Sequence, residues 1–376
     1  MALQAGLVGL PNVGKSTLFN ALTKSSIPAE NFPFCTVDPH VAMTQVPDER
    51  IDKLQAIFKS EKKIPAIMQF VDIAGLVKGA SKGEGLGNQF LGNIMQTDLI
   101  IHVVRCFEND LIVHVHNKVD PLSDFNDIIS ELILKDMDSA QKRKEKLEQL
   151  IKSAKTKQLK ASEVELLERE REIVNELEVL FNKEDVPAIQ ALIAQAKKEG
   201  VTLVPFLTGK PFLVAANFDE DSFADGSYES SEFYKRLVAR FGAETVIPVS
   251  AKIEADLAQL SEHEAHEMRE TLGMKQSGLD MLIQRTYQKL DLISYFTCGP
   301  KEIHVWTIKR GTNVQKAAGE IHSDLERGFI AADVYNAADL FVHGSEAALR
   351  TAGKLRTEGR EYIVKDGDLL NVRFNV

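Results

Sequence analysis

Residues 9–17 read Gly9-Leu10-Pro11-Asn12-Val13-Gly14-Lys15-Ser16-Thr17 and fit the pattern G-x-x-x-x-G-K-[ST] of a phosphate-binding loop. Each residue type has a task there. Gly9 and Gly14 permit the tight turn that aims backbone N–H groups at phosphate oxygens. Lys15 supplies a cation for the β- and γ-phosphates, and the Ser16 hydroxyl is a ligand for Mg²⁺. The apolar run Ala5–Val8 reads as the buried strand that precedes the loop. The helix that follows, over Thr17–Thr23, adds its positive dipole end to the same anion site. Asn12, Val13, Gly14, Lys15, Ser16 and Thr17 are therefore the expected phosphate-binding residues.

The chain has 376 residues, room for two or three domains. A hydrophobic content of 44% and a charged content of 27% are those of a soluble globular protein. The net charge of −10 argues against non-specific nucleic-acid binding by the whole molecule. Cys35, Cys106 and Cys298 are widely spaced and match no metal pattern, which fits a reducing compartment. No apolar run approaches the ~18 residues that span a bilayer, and the first residues lack a signal-peptide pattern. The expectation is a cytoplasmic protein with no membrane partner.

Downstream, Asn31-Phe32-Pro33-Phe34-Cys35-Thr36 reads as a Pro-punctuated loop, with Thr36 the candidate to reach the metal when a γ-phosphate is bound. The β-prone run Ala66–Val71 leads into Asp72-Ile73-Ala74-Gly75, a carboxylate at a strand end followed by a glycine. Asp72 is expected to hold Mg²⁺ through water, and the Gly75 N–H to sense the γ-phosphate. Leu76 stands where Ras-like GTPases place a water-orienting glutamine, so hydrolysis is expected to be slow or assisted by another group. Asp98–Arg105 reads as a further buried strand, with His102 a satisfied core histidine. A turn, Phe107–Asp110, and then His114 come next.

A guanine-reading site needs Asn-Lys-x-Asp at the end of a later strand. That string is present as Asn117-Lys118-Val119-Asp120. Spacing argues against it. The partner loop Ser250-Ala251-Lys252, after the apolar run Val246–Val249, should follow the base-reading motif by one helix, on the order of 30 residues. Asn117 lies 133 positions upstream of Ser250, whereas Asn217-Phe218-Asp219-Glu220 lies 33 positions upstream and directly follows the apolar run Phe212–Ala216. In this second motif Phe218 replaces lysine and Glu220 replaces aspartate. The longer glutamate is poorly placed for guanine's two donors, and the inference is ATP over GTP. A GTPase reading guanine through Asn117–Asp120 is the first alternative. A nucleotide-gated binding adaptor with incidental hydrolysis is the second.

Residues 124–200 are helical and charged, with apolar positions near heptad spacing at Ile133, Met137, Ala140, Leu147 and Ile151, and again at Leu166, Ile173, Leu177 and Leu180. This predicts an antiparallel hairpin restarted by a Ser162–Glu165 capping box, with a lysine-rich tip at 152–160. Pro187–Lys198 reads as another helix. Strands are expected at Glu302–Ile308, Phe329–Val334, Tyr362–Val364 and Leu369–Phe374, with one helix over Val314–Leu325. Residues 301–376 carry 11 basic and 11 acidic residues, so this α+β module is neutral while the rest carries the charge.

Over essentially its whole length the chain resembles the YchF-type Obg-like ATPases, relatives of the translation-factor GTPases. The resemblance rests on GLPNVGKST at 9–17, NFPFCT at 31–36, DIAGLVKGAS at 72–81, NFDE at 217–220 and YIVKDGDLLNVRFNV at 362–376. It implies an α/β P-loop NTPase domain (1–123 and 201–290), an inserted helical coiled-coil domain (124–200) and a C-terminal α+β β-grasp (TGS) domain (291–376). It further implies ATP as substrate with Mg²⁺, and association of a monomer with ribosomes or the large ribosomal subunit. RNA is then a partner for the TGS domain and the helical tip. By resemblance His114 takes the catalytic role beside Lys15, and Asn12 matches an asparagine that binds K⁺ in some related enzymes. The literal NKVD string at 117–120 departs from the family pattern.

Overall fold

The computed structural model describes residues 3–24, 40–73, 86–156, 160–274 and 276–375, with backbone only at 86–89 and 262. In chain order the strands are β1 (Gln4–Val8), β2 (Val41–Gln45), β3 (Lys62–Ile64), β4 (Ile67–Asp72), β5 (Leu99–Arg105), β6 (Phe212–Asn217), β7 (Val246–Val249), β8 (Leu292–Cys298), β9 (Glu302–Lys309), β10 (Phe329–Asn336), β11 (Arg356–Glu358) and β12 (Asp368–Phe374). Among the described residues they form two six-stranded sheets. Among the described residues, 3–24, 40–42, 70–73, 86–156, 160–274 and 276–278 make one compact unit, and 43–69 with 279–375 make the other.

The first sheet has the order β2-β4-β1-β5-β6-β7, and β1, β5, β6 and β7 pair in parallel. Parallel sheets are covered on both faces, so their strands read as continuous apolar runs. All seven residues of β5 are buried. The strand order reverses between β1 and β5, and in such sheets ligands bind in the crevice beyond the carboxyl ends at that switch point. Residues 9–14 leave β1 there, and residues 106–117 leave β5 beside them.

His102 departs from its expected role. It is fully buried in β5, yet neither ring nitrogen has a hydrogen-bond partner among the described residues. Its neighbours are rings, Phe125 at 4.4 Å and Phe212 at 5.8 Å between centroids. Burial pushes its pKa down to about 3. It is a neutral core residue, not a satisfied one.

The charged stretch folds as helices Pro121–Thr156 and Ala161–Asn182. Ala140, Leu147 and Ile151 are buried in the first, and Ile173, Val174 and Leu177 in the second, while Leu166 is exposed. Arg143–Glu170 (2.7 Å), Lys144–Glu178 (2.9 Å) and Lys155–Glu168 (2.7 Å) tie the arms in antiparallel order. The expected capping box does not form. Lys160 occupies the cap position without a side-chain bond, which puts Ser162 inside the first turn. The box appears instead at Ser261–Glu264, ahead of another helix. Helix Val186–Lys198 is capped by Asp185, which accepts from the Ala188 N–H at 3.2 Å.

The second sheet has the order β11-β10-β12-β8-β9-β3. Helix Val314–Ile321 lays Val314, Ala317 and Ala318 on a core with Ile293, Tyr295, Phe329 and Val334. The expected strand Tyr362–Val364 reduces to a single bridge between Ile363 and Asn313. The expected helix over 314–325 breaks at His322, whose Nδ1 accepts from the Asp324 N–H at 3.1 Å and starts a new helix, Ser323–Arg327. Residues 43–69, which the sequence reading joined to the nucleotide domain, lie in this unit. There β3 pairs in parallel with β9, and Arg50 donates to Asp48 and Asp366 at 2.7 Å each. No helix among the described residues is long and apolar enough to cross a membrane.

The buried His102 yields a pH test. The imidazole titrates near 6.5 when unfolded and near 3 when folded, so the unfolded chain takes the proton first. Stability is lost as pH falls from about 6.5 toward 3, by up to about 1.4 kcal/mol per pH unit from this group. In denaturant melts, the stability of His102→Leu relative to wild type should rise as pH falls from about 6.5 to about 4.5. A difference that does not change with pH contradicts the assignment.

Candidate nucleotide site

Local geometry at the end of β1 leaves no room for side chains. A Cβ on Gly9 would sit 2.8 Å from the Val103 carbonyl oxygen. Gly14 has φ +95°, and its Cβ would meet Asn217 Nδ2 at 2.3 Å. Both glycines are therefore obligatory for this backbone path. Asn12 also takes a left-handed conformation, φ 64°. The helix Lys15–Lys24 begins at once, the Leu18 N–H donating to the Gly14 carbonyl at 3.0 Å. Lys15 is buried and ion-paired with Asp72 at the end of β4, while Ser16 and Thr17 are exposed. Thr36, Gly75, Leu76 and Cys35 lie outside the described residues.

Asn217 joins three parts of this crevice. From the end of β6 its Nδ2 donates to the Val13 carbonyl at 2.9 Å, and its Oδ1 accepts from the Ala251 N–H at 2.9 Å. The phosphate loop, the Asn217 motif and the Ser250–Ala251 loop are thus one connected set. Ser250 is buried, and its hydroxyl has no partner among the described residues. An orphaned polar atom of this kind calls for an explanation, and a bound ligand supplies one. Lys252 pairs with Asp256 at 2.9 Å, and that contact raises its pKa, with Glu220 adding to the effect. Glu220 is exposed in the first turn of helix Glu220–Ala224, which Asp219 caps by accepting from the Ser222 N–H at 2.9 Å. The Phe218 ring is only 2% exposed and packs against Tyr228 and Tyr234, so it serves the core.

Asn117–Asp120 lies in a turn that leads into a helix. The apolar run before it, Leu111–Val115, forms no strand. Asn117 turns the chain with φ 53°. Asp120 Oδ1 accepts from the Leu122 and Ser123 N–H groups at 3.2 and 3.3 Å, opening helix Pro121–Thr156, and its carboxylate takes Arg236 at 3.3 Å.

The segment carrying His114 is built around Arg105. This buried guanidinium donates to the carbonyls of Phe107 (3.0 Å), Asn109 (3.1 Å) and Ile112 (3.0 Å), and lies 4.7 Å over the Phe107 ring. His114 is 6% exposed, with Nε2 3.0 Å from Asp124 Oδ2. Its Nδ1 accepts from the His116 N–H at 3.3 Å, so Nε2 carries the proton and donates to Asp124. Burial pushes the Asp124 carboxyl up, and the His114 contact pulls it back. Sequence reading missed this partner, ten positions downstream on a helix, because nothing local marks it. Around His114 the polarity is inverted: Leu111, Val113 and Val115 are 93%, 71% and 48% exposed. Asn12 Nδ2 donates to the Val113 carbonyl at 3.1 Å, tying this segment to the phosphate loop.

The donor set suits Mg²⁺ with a nucleotide. Among the described residues no group of three or more His, Cys, Asp or Glu side chains is placed to hold a metal unaided. Magnesium commonly uses one or two protein oxygens plus substrate phosphates. Asp72 and the exposed Ser16 hydroxyl fit that pattern.

Comparison with known proteins agrees. A family model described as 50S ribosome-binding GTPase matches residues 4–183, and the YchF-GTPase_C model, described as a protein of unknown function (DUF933), matches residues 292–375. The protein named ribosome-binding ATPase YchF is 45% identical in Escherichia coli O157:H7, over 377 aligned residues that cover both chains completely. Its namesake in Bacillus subtilis (strain 168) is 46% identical, again over the full length of both. The structure of the Schizosaccharomyces pombe YchF GTPase superposes with a TM-score of 0.82 at 34% identity, covering 99% of this chain and 97% of that one. On full-length identity and on fold alike, the chain belongs to the YchF family.

Proposed function

We propose that this chain is a slow, Mg²⁺-dependent ATPase that cycles on ribosomes in the cytoplasm, preferring ATP to GTP. The observation that carries the reading is the Asn217 bridge between the Val13 carbonyl and the Ala251 N–H. It supports a base site formed by Asn217, Glu220 and the Ser250–Lys252 loop, within reach of phosphates on residues 12–17. Glu220, one methylene longer than aspartate, then favours adenine. Lys15 and the loop amides bind the phosphates, and Ser16, Thr36 and Asp72 hold Mg²⁺, which supplies charge neutralisation at the β- and γ-phosphates. The Gly75 N–H senses the γ-phosphate. The Asn12 amide oxygen, on the group whose nitrogen bonds Val113, is the atom offered to K⁺.

In this reading His114 is the group that assists water attack, and its buried pose is a resting one. To reach a water, it gives up the Asp124 bond, worth about 1–3 kcal/mol for a charged partner. The outward Leu111 and Val113 side chains gain cover in return. A gap of about 2–3 kcal/mol leaves the active pose at roughly 0.6–3% of molecules, which makes the basal rate slow and open to acceleration by a partner. The relatives' names, ribosome-binding ATPase, support the ribosome as that partner. The helical pair at 121–182 is proposed as the inserted arm, and the second unit's sheet as a TGS-type module facing RNA.

The base site is tested by two variants. Asn217→Ala should weaken ATP binding by about 10- to 100-fold in calorimetry, since two buried hydrogen bonds are lost. Asp120→Ala should leave ATP and GTP affinities within about two-fold and cost about 1 kcal/mol of stability through the lost cap. Loss of GTP binding in Asp120→Ala, with weak ATP binding throughout, would instead support the guanine-reading alternative. For the chemical step, single-turnover hydrolysis should slow at least ~10-fold in His114→Ala at unchanged ATP affinity. Unchanged turnover removes His114 from the mechanism. Run on wild type with ribosomes added, the same assay separates an accelerated ATPase from an adaptor, which binds in a nucleotide-dependent way without acceleration.

A further inference from the structure

Strand β9 places His304 and Trp306 two residues apart, and so on one face of the second unit's sheet. Their ring centroids are 3.7 Å apart, with planes 19° from parallel. Trp306 sits directly across from Tyr295 of β8, stacked at 6.4 Å and 18°. The ladder is fixed at its inner end. Tyr295 is fully buried, its hydroxyl donating to the Ala317 carbonyl at 2.6 Å, and Trp306 Nε1 donates to Thr297 Oγ1 at 2.9 Å. The outer ring, His304, is half-buried, and no described residue hydrogen-bonds either of its nitrogens. Burial lowers its pKa, so it presents a neutral aromatic ring with one donor and one acceptor at neutral pH.

The surroundings are equally specific. On the edge strand β3, Ile64 pairs with His304 and the exposed Lys62 pairs with Glu302. The hairpin 297–302, which carries the exposed Lys301, lines a hollow of about 350 Å³ next to Thr297. The hollow is shallow and open to solvent, as a surface that receives a base at its edge would be. A flat neutral ring with unused edge nitrogens, a hollow and two flanking lysines match one chemistry: an unpaired base with its neighbouring phosphates.

We propose that the His304–Trp306–Tyr295 ladder is a stacking platform for an unpaired RNA base, with Lys62 and Lys301 meeting the adjoining phosphates. This deepens the ribosome reading above, and rests on it for the source of the RNA. Stacking dominates here and few phosphates are engaged, because Glu302 lies beside Lys62. Binding is therefore weakly salt-dependent, with a slope of log K against log salt no steeper than about −1.4 for two phosphates on a single strand.

Trp306 is the only tryptophan in the chain, so tryptophan emission, excited selectively over the tyrosines, reports on this place alone. Titrating the full chain with a single-stranded hexaribonucleotide should give a saturable change in emission. His304→Ala should weaken that binding by about 5- to 150-fold, the equivalent of losing one stacked base. His304→Phe should restore it, while circular dichroism and ATP affinity stay at wild-type values in both variants. No emission change with any hexamer, or equal affinity in wild type and His304→Ala, overturns the platform. Pelleting with ribosomes separates the two ideas. A wild-type chain that shows the emission change but never pellets keeps the platform and removes the ribosome reading. A chain that pellets without any oligonucleotide response does the reverse.

Discussion

Two hydrogen bonds made by one side-chain amide tie residues 9–17 to the Ser250–Ala251 loop. Asn217 stands at the carboxyl end of β6 and spans from the Val13 carbonyl to the Ala251 N–H, 2.9 Å on each side. Its position depends on the parallel register that sets Asn217 opposite Val249 of β7 and Arg105 of β5. Gly14 must lack a Cβ because Asn217 Nδ2 occupies that space. A shift in either strand would therefore move the Ser250–Ala251 loop and residues 9–14 apart. The sheet acts as a ruler, and Asn217 is where its measurement is transmitted to the two loops.

A second constraint acts from β5. The buried Arg105 guanidinium gathers three carbonyls of the following segment, and so holds the chain inside out, with His114 in and Leu111 and Val113 out. Inverted polarity of this kind is costly in water, since apolar side chains remain hydrated while an ionisable ring is buried. Asp124 offsets the second cost through its bond to Nε2. The Asn12 contact with the Val113 carbonyl places the same segment under the influence of the phosphate loop.

Much of the first unit was legible because its strands are short apolar runs ended by residues with a chemical task. Gly9 after β1, Asp72 at the end of β4 and Asn217 at the end of β6 are such residues. The spacing from Asn217 to Ser250 pointed to an asparagine that does bond the Ala251 N–H, whereas Asp120 accepts from the Leu122 N–H at the start of a helix. What escaped sequence reading is non-local. Asp124 meets His114 only because helix Pro121–Thr156 folds back, and His102 loses its partners only because Phe125 and Phe212 close over it. Strand β8 (Leu292–Cys298) mixes Ser, Tyr and Thr with apolar residues, and is revealed by its pairing with β9. Residues 43–69 join the second unit through β3 and Arg50, contacts that span more than two hundred positions. The capping box failed for a simpler reason: its pattern matched, but the helix began one residue before Ser162.

The position of the purine decides between the two asparagine motifs. Photolabelling the chain with 8-azido-ATP, followed by peptide mapping, addresses that directly. The label should fall on residues 217–220 or 250–252 and be displaced by ATP. A label confined to residues 117–120 would contradict the account.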